Sequence, residues 1–391
     1  MIRYLIYIGL AVTPFLTIQG YDSRYPKEVF ALGIALLIAL YGFSRGLKPF
    51  QNKWILLFIF WVGISSIFLP KFEGLNLYGG GNVDGLWSFK SMFYLLTYVL
   101  MAWVISSVRF SDNVIWIMVK IMAFSGCLMA VYAILQALGI DPLFHVRDLR
   151  KLTGQGLPPS ANITGTLGQP TILAAFLVMC LPMALCVGKT WIFLTILTAI
   201  IISKSSMAFV ALIGAYIYFV FPYRSKRQTF AFTIFVLFGW LAVNNGWVSD
   251  SGRFLMWEQV LQDMRANPIT LLTGFGFGSF GYIFSALMHP TGIFWLQMHN
   301  EYLEVLWGCG AIGLFFIVKA IDWVLQRSQF VINEDKILYL MMSLVAICLC
   351  ACGNFVWHLG VFQFYTAVMV GIVFQKIRTL TINKEISNAI C

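Results

Sequence analysis

Apolar stretches of mostly 16 to 25 residues, bounded by charges, Gly or Pro, recur along this chain and leave little between them. A helix crossing the hydrocarbon of a bilayer needs about 20 mostly apolar residues, so each stretch reads as a membrane span. They fall near 2–19, 28–44, 54–70, 91–108, 114–138, 169–187, 190–203, 207–222, 229–246, 302–320, 337–353 and 358–375. Composition agrees: of 391 residues, 60% are hydrophobic and 11% charged, against about 25% charged in a soluble domain. A soluble enzyme with one anchor is excluded. The expected fold is an all-α polytopic membrane protein of about 12 transmembrane helices, a single integral-membrane domain over 1–391. The first run lacks a small-residue cleavage site and leads straight into the second, so it is expected to remain as the first helix. Cys127, Cys180, Cys186, Cys348, Cys350 and Cys352 lie inside apolar runs, where thiols pack as small hydrophobes. The last three alternate around a helix instead of lining one face, which argues against a metal or disulfide cluster.

Charge gives an orientation. Arg45, Lys48 and Lys53 lie between spans two and three, Arg224, Lys226 and Arg227 between eight and nine, and Lys376, Arg378 and Lys384 after the last. Twelve spans put all three clusters on one side, with both termini in the cytoplasm. That side then holds 16 basic and five acidic residues, leaving 10 basic and 11 acidic outside. The formal net charge of +10 is thus an inner face near +11 and an outer face near −1. In a soluble protein such a charge would suggest nucleic acid; here it reflects topology, and no nucleic-acid partner is expected. Two outer connections are long, 139–168 and 247–301, and long ordered loops in compact proteins are usually functional. All four histidines (His145, His289, His299 and His358) fall outside or at outer span ends. Chemistry is therefore expected on the extracytoplasmic face. The halves show no repeat and the span centres carry no evident acid or lysine, which disfavours a transporter or flippase. Lys120 and Lys319 sit near cytoplasmic ends and can snorkel.

The second long loop carries the most chemistry. Asp250 or Ser251 is placed to cap a short helix on which Arg253 and Trp257 stand one turn apart. Spacing alone fits a surface helix whose arginine stacks on tryptophan equally well. The Gly274 to Gly281 segment contains a literal G-x-G-x-x-G, but no strand precedes it and no βαβ unit surrounds it. The dinucleotide reading fails; glycine backbone approaching a helix end or a ligand fits better. His299 stands at the outer mouth of the next helix, either as an interfacial side chain or as a base for a hydroxyl nucleophile. Gly310 and Gly313 have the spacing of a helix-packing seam.

Taken together these residues resemble the O-antigen ligase superfamily, which includes O-antigen polymerases and protein O-oligosaccharyltransferases. His299-Asn300, nine residues, then Gly310-x-x-Gly313 reproduces the family pattern of His with Asn, Ser or Gln followed by G-x-x-G. Arg253 with Trp257, Pro268 and the Gly274 to Phe280 stretch is similar to the family's arginine-bearing periplasmic loop. Gly165-Thr166-Leu167-Gly168-Gln169-Pro170, then Leu173-Ala174-Ala175, resembles its G-T-x-G-x-P motif, and Tyr21-Asp22 with Pro26-Lys27 matches between spans one and two. The resemblance implies a GT-C-type glycosyltransferase with no cofactor and no metal. Its expected donor is an undecaprenyl-diphosphate-linked glycan, transferred with inversion to a lipid A-core sugar hydroxyl in lipopolysaccharide biosynthesis. The expected site is the periplasmic face of a bacterial inner membrane, among membrane lipids. By family position Arg253 recognises diphosphate and His299 activates or positions the acceptor. Trp257, Asn300, Gly165, Thr166 and Gln169 are candidate substrate contacts. Arg147 and Arg150, in a loop that defies the positive-inside bias, are second-rank phosphate or glycan contacts. Relatives often carry Ser-Arg between spans seven and eight; this chain reads Ser203-Lys204, so either Lys204 or Arg150 supplies that charge. Ligase is preferred to polymerase on the His299 motif. The chain ends about 15 residues after the last span, without the extension common in protein-directed relatives.

Overall fold

A computed structural model of the chain describes residues 1–17, 24–47, 52–67, 86–141, 163–220, 253–266, 268–281, 297–329 and 335–390. Among these residues every regular element is helical. We number the α-helices α1 (Ile2–Val12), α2 (Arg24–Ser44), α3 (Lys53–Ile67), α4 (Leu86–Ser107), α5 (Asp112–Ala137), α6 (Pro170–Val187), α7 (Thr190–Ile202), α8 (Ser206–Val220), α9 (Arg253–Arg265), α10 (Pro268–Thr273), α11 (Glu301–Ser328), α12 (Asp335–Cys350) and α13 (Gly360–Ile390). Eleven of the twelve expected spans coincide with one of these helices, and the ninth, 229–246, lies outside the described residues. Among the described residues six helices are long and apolar enough to cross a membrane: those in α2, α4, α5, α6, α11 and α13. Shorter apolar helices form α1, α3, α7, α8 and α12. The protein is thus an α-helical polytopic membrane protein.

The pattern of burial gives the same answer from packing. On α5, Ile115, Met118, Met122, Ala130 and Ala133 are buried, while Ile117, Phe124, Leu128 and Val131 recur every three to seven residues on an exposed face. Both faces are apolar, so the outer one faces lipid instead of water. Helix α6 is buried along its length from Ile172 to Ala184 and serves as the hub, against α5, α7, α8 and α12. Helix α13 packs on α4 and α2, and α3 packs on α11.

Bonds between helix ends give the bundle two distinct ends. At one, Lys27 Nζ donates to Leu16 O (2.8 Å) and Thr166 O (2.7 Å), tying the α1–α2 corner to the start of α6. Gln136, at the end of α5, accepts from the backbone of Thr164 (3.1 Å) and Gly165 (2.8 Å). The start of α11 and the turn from α12 to α13 meet at this same end. At the far end, Lys376 pairs with Asp112 at 2.6 Å and Gln375 donates to Phe110 O at 3.1 Å.

Helix α11 is broken. Gly310 has φ 65° and ψ −173°, a backbone region open essentially to glycine alone. Carbonyls of the preceding turn lose their partners four residues on, and in a membrane such groups must be satisfied internally. Donors arrive from outside the helix: Phe275 N to Trp307 O (2.7 Å), Gly276 N to Gly308 O (2.9 Å) and Trp61 Nε1 to Cys309 O (2.7 Å). A side chain on Gly310 would overlap the Leu272 carbonyl, and one on Gly274 would stand 2.5 Å from Cys309 N. The G-x-x-G pair is therefore more than a packing seam, because its first glycine permits a helix break. The glycine-rich loop is the backbone that fills the break.

Candidate functional site

The N-terminal half of α11 presents its first turn to the α12–α13 connection. Asn300 is the N-cap, its Oδ1 accepting from Tyr302 N and Leu303 N, each at 3.1 Å. The residue before it, His299, has φ 54°, a strained conformation outside glycine. Its ring stands edge-on to Phe355, with centroids 4.8 Å apart. Such strain in a residue flanking a cap aims a side chain where the helix alone would not send it.

Arg253 opens α9 and its Nη1 donates to Gly353 O at 3.3 Å, so the guanidinium reaches the same α12–α13 turn that carries Phe355. Trp257, one turn along, donates Nε1 to Met298 O at 2.8 Å and thereby fixes α9 to the strand of chain leading into His299. Burial first, and the positive charge of Arg253 second, push the His299 pKa down to about 4, against a smaller opposing pull from Glu304. At neutral pH the imidazole is uncharged. The structure thus brings together Arg253, Trp257, His299 and Asn300.

Beside them lies a group the sequence reading did not assemble. His358 sits between two carboxylates, Nδ1 3.1 Å from Glu301 Oε2 and Nε2 2.9 Å from Glu304 Oε1. Glu301, 4% exposed, also accepts from Trp357 N at 2.5 Å, and Glu304 from Met298 N at 3.3 Å. Burial disfavours charge on His358, but the attraction and hydrogen bonds of Glu304 and Glu301 outweigh it and hold its pKa well above the ordinary histidine value. The result is an imidazolium clamp between the α11 N-terminus and the α13 entrance. These three residues are also the described group with ligand atoms close enough to hold a metal, within 4.8 Å of one another. The two ring nitrogens face different carboxylates, so in this arrangement protons bridge the carboxylates where a metal would have to replace them.

Asn354, between Gly353 and Phe355, is 1% exposed, and neither its Oδ1 nor its Nδ2 has a hydrogen-bond partner among the described residues. Buried amides are nearly always satisfied, and an orphaned pair in a native site calls for a ligand or water. No sequence signal distinguishes this asparagine from any other in a turn.

The other expected site residues are placed as follows. Thr166 is buried, its Oγ1 donating to Pro14 O at 2.5 Å and its carbonyl accepting from Lys27. Gly165, at φ 56°, is buried over Met129 and Leu173. Both hold the entrance of α6 against α1, α2 and α5. Gln169 is the N-cap position of α6, half-buried, with no side-chain cap bond. Lys204 is exposed in the α7–α8 turn at φ 51°. It lies three residues before Met207, which packs on Gly353, so it shares the end of the bundle that holds Arg253. Arg147, Arg150, His145, His289 and the proposed cap at Asp250 or Ser251 lie outside the described residues. No family model matches the chain, and no curated protein is significantly similar to it.

Proposed function

We propose that this protein is a metal-independent inverting glycosyltransferase of the O-antigen ligase kind. It takes an undecaprenyl-diphosphate-linked glycan and passes it to a lipid A-core sugar hydroxyl, on the periplasmic face of the inner membrane, within a twelve-span GT-C-type bundle whose termini are cytoplasmic. The observation that carries this reading is the convergence of Arg253 and a neutral His299 on one turn, from elements far apart in sequence. A fixed guanidinium pairs bidentately with phosphate oxygens and stabilises the charge that builds on a leaving diphosphate. A neutral imidazole is the form that accepts a proton.

In the reaction, the acceptor oxygen bonds to the anomeric carbon as the bond from that carbon to the diphosphate oxygen breaks. The hydroxyl proton goes to His299 and the electron pair leaves with the diphosphate. Arg253 has two effects in sequence. In the empty site its charge adds to burial in holding His299 neutral; once the diphosphate offsets that charge, the imidazole becomes a stronger base when it is needed. Asn354, one residue from the carbonyl that anchors Arg253, supplies a paired donor and acceptor for the first sugar of the donor.

The test is transfer by the purified chain from lipid-linked glycan to lipid A-core, to a lipid-linked repeat unit and to a pilin-like peptide. Product on lipid A-core alone supports the ligase, and product on the repeat unit alone replaces it with the polymerase. Arg253→Ala and His299→Ala should fold normally and lose transfer by about 100-fold or more. Full activity in both variants removes the site.

A further inference from the structure

At the far end of the bundle a cleft of about 340 Å³, counting space open to solvent, is lined by Ser106, Ser107, Arg109, Gln375, Arg378 and Thr379. We infer that this cleft seats the headgroup of an anionic phospholipid, one bearing a phosphodiester and a free hydroxyl as in phosphatidylglycerol. Three independent observations lead there.

The first is depth. The apolar span of α4 ends at Ser107 and that of α13 at Thr379, so the cleft lies at the level where hydrocarbon gives way to headgroups. The second is charge. The nearby carboxylate, Asp112, is taken by Lys376 at 2.6 Å. Arg109 and Arg378 are exposed, and neither forms an ion pair with a described residue. Two guanidinium forks, one just past the end of α4 and one where the apolar span of α13 gives out, match the oxygens of one phosphodiester, and basic pockets between membrane helices are recurrent headgroup sites.

The third observation selects the headgroup. Gln375 is 5% exposed and its amide nitrogen is committed to Phe110 O at 3.1 Å, but its buried Oε1 has no hydrogen-bond partner among the described residues. That oxygen needs a donor. A fully ionised phosphomonoester brings none, whereas a glycerol headgroup brings hydroxyls next to its phosphodiester. A choline headgroup has neither the net charge nor the hydroxyl.

The experiment uses the full chain in nanodiscs and reads retained lipid by native mass spectrometry after exchange into mixtures of phosphatidylglycerol and phosphatidylcholine. The wild type should retain phosphatidylglycerol selectively. Arg109→Gln with Arg378→Gln should lower that preference about 30-fold, the effect of two basic side chains near a lipid surface. Arg3→Gln with Arg45→Gln, which removes two exposed cations outside the cleft, should leave it nearly unchanged; an equal loss in this control overturns the site in favour of diffuse surface charge. Displacement of phosphatidylglycerol by millimolar inorganic phosphate overturns it in favour of a simple anion site. Gln375→Leu should abolish the preference for phosphatidylglycerol over phosphatidic acid, and an unchanged preference refutes the hydroxyl assignment. These outcomes are independent of whether the opposite end transfers sugars.

Discussion

Asn354→Leu is expected to stabilise the protein while disabling the proposed reaction, the reverse of what a buried substitution usually does. The wild-type side chain is 1% exposed, and neither amide atom has a hydrogen-bond partner among the described residues. Each unsatisfied buried group costs about 1–3 kcal/mol, so the pair burdens the fold by about 2–6 kcal/mol. Leucine has the same branching and removes both polar atoms; its extra volume returns about 1–3 kcal/mol as crowding. Asn354 is not among the residues at positive φ, so leucine adds no backbone strain. The net is a gain of about 1–3 kcal/mol, read as a rise of a few degrees in the unfolding temperature of detergent-solubilised protein. Transfer should fall in the same preparation, because the amide pair is the proposed sugar contact. Lower stability in Asn354→Leu would show that the amide is satisfied in the native protein and refute the reasoning. Higher stability with full activity would keep the packing argument and remove the sugar contact.

Gly310→Ala combines strain at φ 65° with a clash against the Leu272 carbonyl that must disturb the two backbone bonds from Phe275 and Gly276; a loss of about 3–5 kcal/mol is expected in thermal unfolding, whereas Gly63→Ala, with nothing nearby, should be neutral or stabilising. Because the folded pKa of His299 is pushed down to about 4, the unfolded chain binds its proton first on acidification, so stability should fall as pH drops from about 6.5 towards 4, and His299→Gln should flatten that limb of a stability-against-pH curve. His358 has the opposite sign: its stabilisation is complete below about pH 6.5 and is lost only as pH rises through its raised folded value. His358→Ala leaves Glu301 buried beside Glu304 without its counter-charge and should cost about 3 kcal/mol in the same unfolding measurement at neutral pH.

Hydropathy made the helices legible because a bilayer rewards apolar length alone, whatever the helix packs against. Its errors have local causes. The first helix stops at Val12 and tightens into a 3-10 turn over Thr13–Phe15, since Pro14 lacks the N–H that would continue it. Helix α11 runs on to Ser328, past the expected end at 320, on polar turns that hydropathy discards but that an Asp322–Gln326 bond of 2.6 Å supports. That Arg253 and His299 belong together followed from the family resemblance, and the approach of glycine backbone to a helix end from the residues themselves. What that backbone approaches, a helix broken at Gly310, was not legible, because G-x-x-G is equally the pattern of a continuous packing seam. The His358 clamp was illegible for a different reason. Its histidine and its carboxylates belong to different helices, and no local period links Glu301 and Glu304 to a residue in the α12–α13 turn.

The clamp also bears on which group holds an anion at this end of the bundle. A helix N-terminus ordinarily serves, through its unpaired N–H groups and its dipole. At α11 both attractions are spent: Asn300 occupies the N–H groups of Tyr302 and Leu303, and the carboxyl groups of Glu301 and Glu304, bridged by His358, crowd the first turn. A diphosphate brought to this turn would meet carboxyl oxygens where the backbone alone would have welcomed it. Recognition in the proposed reaction therefore falls to Arg253, whose guanidinium enters from α9 and not from the helix that carries the histidine. The division has a chemical use. In the proposed reaction, carboxyl groups around the α11 entrance would keep the diphosphate off His299, so that the base meets the acceptor hydroxyl and not the leaving group.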